Sequence, residues 1–160
     1  EAHESLEPYK IGQHRHTPEI EQELGRLLRL ASQSSGTEAA EPIVTFTPHL
    51  VPMNRGILST AYCKLKSPMT LPDLRTLYRT FYKGERFVRV QEDIMPNPRY
   101  IKGSNYCDIG VYLDPRAGSV ITVAALDNLV KGAAGQAIQA MNLMLGFPEE
   151  TGLTAPAAYP

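Results

Sequence analysis

Apolar residues recur along this chain with two different periods, and the switches between them mark its elements. Ile20, Leu24, Leu27, Leu28 and Ala31 fall at helical spacing after Thr17-Pro18. A threonine cap with proline at the first helical position is a strong start signal, so a helix is predicted from there to about residue 31. Glu19, Glu21 and Glu23 lie near its positive end, and Arg26 and Arg29 toward its negative end, as the helix dipole favours. Residues 32–41 are small and polar and read as a loop. The pattern then turns strand-like over residues 42–49 and, after the turn-rich Pro52-Met-Asn-Arg-Gly56, again over 57–65.

Leu71, Leu74, Leu77, Tyr78 and Phe81 share one face of a second predicted helix, over 71–82, that follows boundary signals at Pro68 and Thr70. Residues 87–90 read as a short strand. Residues 106–113 and 119–126 read as two more, joined by the hairpin signal Asp114-Pro-Arg-Ala-Gly118. The last helix is predicted from about 129 to 145, stopped by Gly146 and Pro148. Residues 1–16 are polar and read as extended. Strands and helices mix without strict alternation. The expected fold is therefore α+β, one domain over 1–160, with a mostly antiparallel mixed sheet and helices on one face.

The final helix is apolar or small around most of its circumference, which predicts burial on most sides. Asn128, Gly132 and Gln136 fall four apart along one line at its entry. Glycine weakens a helix interior by about 1 kcal/mol relative to alanine, and Gly132 and Gly135 both stand in the first turns. Two readings fit: close packing against another element, or the approach of a ligand to a backbone whose free N–H groups carry a partial positive charge.

A net charge of −1 provides no electrostatic footprint for nucleic acid or an anionic membrane. No apolar run approaches a membrane span. The acidic, polar N-terminus is unlike a secretory signal. Two cysteines, Cys63 and Cys107, make no disulfide framework and point to a reducing, cytoplasmic or organellar compartment. Both read as buried small hydrophobes rather than nucleophiles.

His14-Arg15-His16 is the first candidate for chemistry. His16 stands just outside a helix N-terminus, whose partial positive charge favours a neutral imidazole able to act as a base. Glu19, in the first turn, is placed to orient that ring. The plain alternative is a solvated His-x-His. A metal pair is a third reading, but His49, Cys63, Cys107 and Glu19 show no ligand spacing that would complete it. Arg55, in a proline- and glycine-fixed loop, is suited to a carboxylate or phosphate, or else is an exposed turn residue.

Several long motifs occur in order: Tyr9-Lys-Ile-Gly12, His14-Arg-His-Thr-Pro-Glu-Ile-Glu-Gln-Glu-Leu24, Phe46-Thr-Pro-His-Leu-Val-Pro-Met-Asn-Arg-Gly56, Gly103-Ser-Asn-Tyr-Cys107, Asp127-Asn-Leu-Val-Lys-Gly-Ala-Ala-Gly-Gln136 and Asn142-Leu-Met-Leu-Gly-Phe-Pro-Glu149. Together they resemble the N-acetyl-γ-glutamyl-phosphate reductases of arginine biosynthesis, and only the C-terminal part of those enzymes. The family's Gly-rich Rossmann domain and its Asn-Pro-Gly-Cys-Tyr-like nucleophile motif have no counterpart here.

The resemblance implies a fold like the C-terminal domain of glyceraldehyde-3-phosphate-dehydrogenase-like enzymes, which carries the sheet through which subunits associate. The implied reaction is reductive dephosphorylation of an acyl phosphate by NADPH, through a cysteine thioester. By position His16 matches the proton-managing histidine, with Glu19 as partner. His14, Arg15 and Arg55 become candidates for substrate binding, and Asn128, Gly132 and Gln136 for the cofactor. The helix over 129–145 would pack on the missing Rossmann domain, the protein would be a homo-oligomer, and this chain alone would be inactive. A related lysine-pathway reductase and a non-catalytic dimerisation domain are the alternatives.

Overall fold

The computed structural model describes residues 4–35 and 41–158. Where the sequence reads as one domain, its contacts gather into two compact units, residues 1–53 and 54–160. In the first unit, a two-residue strand β1, Glu7–Pro8, pairs antiparallel with β2, His49–Leu50. Between them runs helix α1, Thr17–Ser35. The carbonyl of His16 accepts the first helical bond, from Ile20 N–H at 2.9 Å. His16 is therefore the cap, and Thr17 and Pro18 are the first two helical residues, so the helix starts one residue earlier than the sequence reading. The helix also runs past residue 31.

The strand expected over 42–49 is a correction. Only His49 belongs to a strand, and residues 41–48 have no regular structure. Among the described residues their apolar alternation finds no neighbouring strand to pair with, and a strand without a ladder is not stable.

The second unit is a four-stranded mixed sheet: β3, Ile57–Lys64; β4, Val88–Gln91; β5, Cys107–Asp114; and β6, Ser119–Leu126. The spatial order is β3-β6-β5-β4. β6 pairs antiparallel with both β3 and β5, and β4 lies parallel to β5. Helix α2, Leu71–Phe81, begins with a reciprocal cap between Thr70 and Asp73, which satisfies orphan donors at the helix start. It lays Leu74 onto Ile109, Val111 and Val120, with Tyr78 and Tyr82 packed beside them. Leu77 and Phe81, expected on the buried face, are more than half exposed. The strip of α2 that meets the sheet is narrower than its apolar arc.

Helix α3, Gly135–Leu145, is entered through a π-helical turn, Val130–Ala134. Its burial is inverted relative to expectation. Gly135, Gln139 and Asn142 are its buried residues, while Met141, Leu143, Met144 and Leu145 are exposed. The polar side is satisfied inside the unit. Asn105 Nδ2 and Lys131 Nζ donate to Gln139 Oε1 at 2.9 and 2.7 Å. Gln139 Nε2 donates to Glu149, and Asn142 Nδ2 donates to the carbonyls of Glu149 and Thr151. Buried polar groups are tolerated when paired in this way.

Candidate functional site

The residues singled out by sequence fall into two groups, one in each unit. The first is built on the entry to α1. His14 is 8% exposed, and its ring meets those of Tyr9, Phe46 and His16 edge-on at centroid distances of 5.5, 5.2 and 4.8 Å. Its Nδ1 accepts the backbone N–H of His16 at 3.2 Å, which leaves Nε2 to carry the proton of the neutral ring. Burial of the ring, and then the charges of His16, Lys10 and Arg15, hold its pKa below the ordinary histidine value. The sequence reads residues 1–16 as extended. The two histidines are neighbours here through a turn, closed by Thr17 N–H donating to the His14 carbonyl. His16, Arg15 and Glu19 are exposed at the start of α1.

The second group surrounds Asp127, which follows β6 and is fully buried. The N–H groups of Leu129 and Val130 donate to its Oδ1 at 2.8 and 3.0 Å. Gly103 N–H and Arg55 Nε donate to its Oδ2 at 2.6 and 2.8 Å. Burial alone would raise the carboxyl pKa. The three backbone donors and the Arg55 guanidinium outweigh it and hold the carboxyl below its usual range. Arg55 thus finds its carboxylate within the fold. The Asn128 side chain is also engaged, its Oδ1 accepting Gly56 N–H at 2.7 Å.

Gly132 and Gln136 are exposed on the first turns beyond. Gly132 N–H donates to the Asp127 carbonyl at 2.8 Å, five residues back, and Ala134 N–H to that of Leu129 at 3.1 Å. These are the wide bonds of a π-turn, a feature frequent at functional sites. A Cβ at Gly132 would lie 3.3 Å from both the Asp127 carbonyl and Leu126 Cδ1, so close packing is one reason for glycine there.

Asp127 is the residue that sequence reasoning passed over. It entered only as the first residue of the Asp127–Gln136 motif and received no role, although an Asp directly before a helical run is a cap signal. Among the described residues there is no group of three or more His, Cys, Asp or Glu placed to hold a metal. Cys107 is half-buried, its thiol pKa pushed up by burial, and Cys63 is exposed on β3, where the sequence had placed it inside. A cleft of about 420 Å³ beside Leu65, Met69, Leu113 and Gly118 contains none of the candidate residues.

Two of these groups set an acid limit on stability. Each has a folded pKa below its unfolded one, so the unfolded chain takes up the proton first as pH falls. Stability should be complete above about 6.5, fall as unfolded His14 charges, and fall again below about 3.9 as Asp127 is titrated. Urea midpoints measured from pH 7.5 to 3 check this. His14→Phe should flatten the upper limb alone.

Residues 1–128 match the family model described as semialdehyde dehydrogenase, dimerisation domain. The whole chain is 49% identical to an N-acetyl-gamma-glutamyl-phosphate reductase of Pelotomaculum thermopropionicum, covering 44% of that protein. It is 52% identical, again over its whole length, to the reductase of Symbiobacterium thermophilum, covering 44% of it. The chain therefore spans less than half the length of the curated relatives it matches. Among solved structures it is similar in fold to the aspartate semialdehyde dehydrogenase of Francisella tularensis, with a TM-score of 0.66 at 19% identity over 89% of this chain and 40% of that one. A second neighbour, aspartate semialdehyde dehydrogenase II from Vibrio cholerae, gives 0.55 at 19% identity over 66% of this chain and 32% of that one.

Proposed function

The chain belongs to the semialdehyde dehydrogenase dimerisation-domain family, and from that membership we propose that it is the C-terminal catalytic and dimerisation part of an NADPH-dependent N-acetyl-γ-glutamyl-phosphate reductase. Its substrate would be N-acetyl-glutamyl 5-phosphate and its products the 5-semialdehyde and phosphate, a step of arginine biosynthesis. The observation that carries this reading is identity of 49% to such a reductase along the entire chain, through both groups of candidate residues.

In this reading NADPH supplies the hydride when bound, held mainly by a Rossmann domain outside this chain, which also brings the nucleophilic cysteine. His16 holds and returns the protons of the acyl-transfer and reduction steps. Its exposed position at the cap of α1 gives the ring access to substrate, and Glu19 in the next turn is its partner. His14, with its ring buried, orients His16 through the backbone bond and the edge-on ring contact, besides its candidacy for substrate. Arg15 is free to reach an anion, whereas Arg55 already spends its Nε on Asp127. Asn128, Gly132 and Gln136 form the cofactor-facing surface. Leu129, Met141, Met144, Leu145 and Phe147, on and beside α3, are exposed, and exposed apolar side chains gathered on one element mark an interaction face. The Rossmann domain is the proposed occupant of that face, and a second copy of this chain meets the sheet.

The test is direct. The full-length protein should oxidise NADPH with N-acetyl-glutamyl phosphate, and the 160-residue chain should not. Supplying the N-terminal part in trans should restore turnover. A full-length protein inert with this substrate but active on a carrier-bound lysine-pathway acyl phosphate would reassign the substrate, and one inert with both would leave only the dimerisation role.

A further inference from the structure

We infer that Asp127 is a positioning residue, whose carboxylate locks the backbone from Asn128 to Gly132 in the geometry that presents it to the cofactor. This rests on the reading of Asn128 and Gly132 as cofactor-facing. A helix cap needs one acceptor oxygen, and Asp127 Oδ1 meets that need through Leu129 and Val130. Its Oδ2 is not needed for capping. It reaches instead to Gly103 and Arg55, on two separate loops. Serine or asparagine would cap equally well, but only a carboxylate accepts on both oxygens.

The neighbouring residues repeat the arrangement. Gly56, next to Arg55, donates to Asn128, next to Asp127. Two adjacent residues of the pre-β3 loop thus grip two adjacent residues of the turn. The Asp127 carbonyl holds the far end of the segment by accepting Gly132 N–H. Four of these bonds converge on a carboxylate with no exposure to solvent. Stability alone would be served by an ordinary α-helical start, whereas this arrangement fixes a wide turn against two separate stretches of chain.

The variant to make is Asp127→Asn in the full-length protein. Its Oδ1 keeps the cap, while its NH₂ faces the Gly103 N–H and the Arg55 guanidinium, donor against donor. Hydride transfer is sensitive to placement, and a shift near 1 Å can cost about 100-fold. The expected result is a kcat lower by about 10–100-fold with the KM for NADPH within about threefold, and faster amide exchange over residues 128–134. Unchanged kcat per folded molecule with only a lower melting temperature overturns the inference. Should the variant fail to fold, exchange in the unaltered protein decides. Segments carrying Gly103 and Leu129–Val130 should open together with one free energy, and protection differing by more than about tenfold overturns the lock. An unaltered full-length protein that reduces no acyl phosphate defeats the functional reading separately, and the exchange result still tests the lock.

Discussion

Replacing His16 by glutamine in the full-length protein is expected to lower kcat by about 10²–10⁴-fold while leaving the melting temperature nearly unchanged, as loss of a general acid–base group does. The separation of the two effects follows from where the residue sits. His16 is exposed, so little packing beyond its edge-on contact with His14 is lost with the ring, and exposed substitutions usually stay within about 0.5 kcal/mol. Its backbone does the structural work. The N–H donates to His14 and the carbonyl starts α1, and glutamine keeps both. Steady-state rates beside a thermal melt check the prediction. A variant with near-normal kcat would move proton management to another group.

The second large effect runs against helix propensity. Gly135→Ala in the interior of a helix ordinarily stabilises by about 1 kcal/mol. Here it is expected to cost about 1–3 kcal/mol, the range of an overpacked core. The added Cβ would stand against Asn105 Oδ1 and 2.7 Å from both Cγ1 and the carbonyl oxygen of Val130. That carbonyl is fixed, since it accepts the Gly135 N–H at the end of the wide turn. The Asn105 side chain is bonded to Gln139, so it yields only by breaking the network that buries α3. Urea denaturation reads the loss directly. An unchanged midpoint would show that the wide turn relaxes to admit a methyl group.

What the sequence revealed follows from how local each signal is. The β5–β6 hairpin and α2 were legible because their determinants are adjacent: a Pro/Gly turn between alternating runs, and a Thr70–Asp73 cap before a periodic face. The strand expected over 42–49 failed because pairing is a property of two segments, and among the described residues only β1 offers itself, for two residues. On α3, periodicity identified the apolar face but not which side faces inward. Gln139 and Asn142 are buried because Asn105, Lys131 and the 149–151 carbonyls happen to meet them. The histidine pair was readable as a candidate. The cage of Tyr9 and Phe46 around His14 was not, since it joins residues far apart in the chain. Asn128 read as an open polar position, yet its side-chain oxygen is committed to Gly56.

The order of strands has a consequence for how the larger unit assembles. β3 comes first in the chain but pairs only with β6, the last strand, so α2, β4 and β5 must all be traversed before it has a partner. The β5–β6 hairpin closes through a short turn, an event on the scale of about 1–10 μs. β3 arrives across a long loop whose closure entropy must be met first. It also arrives with all eight residues exposed and one ladder edge unpaired, so it is the last strand in and the first out. Substitutions along β3 should therefore act mainly on the unfolding rate, and those in the β5–β6 hairpin on the folding rate.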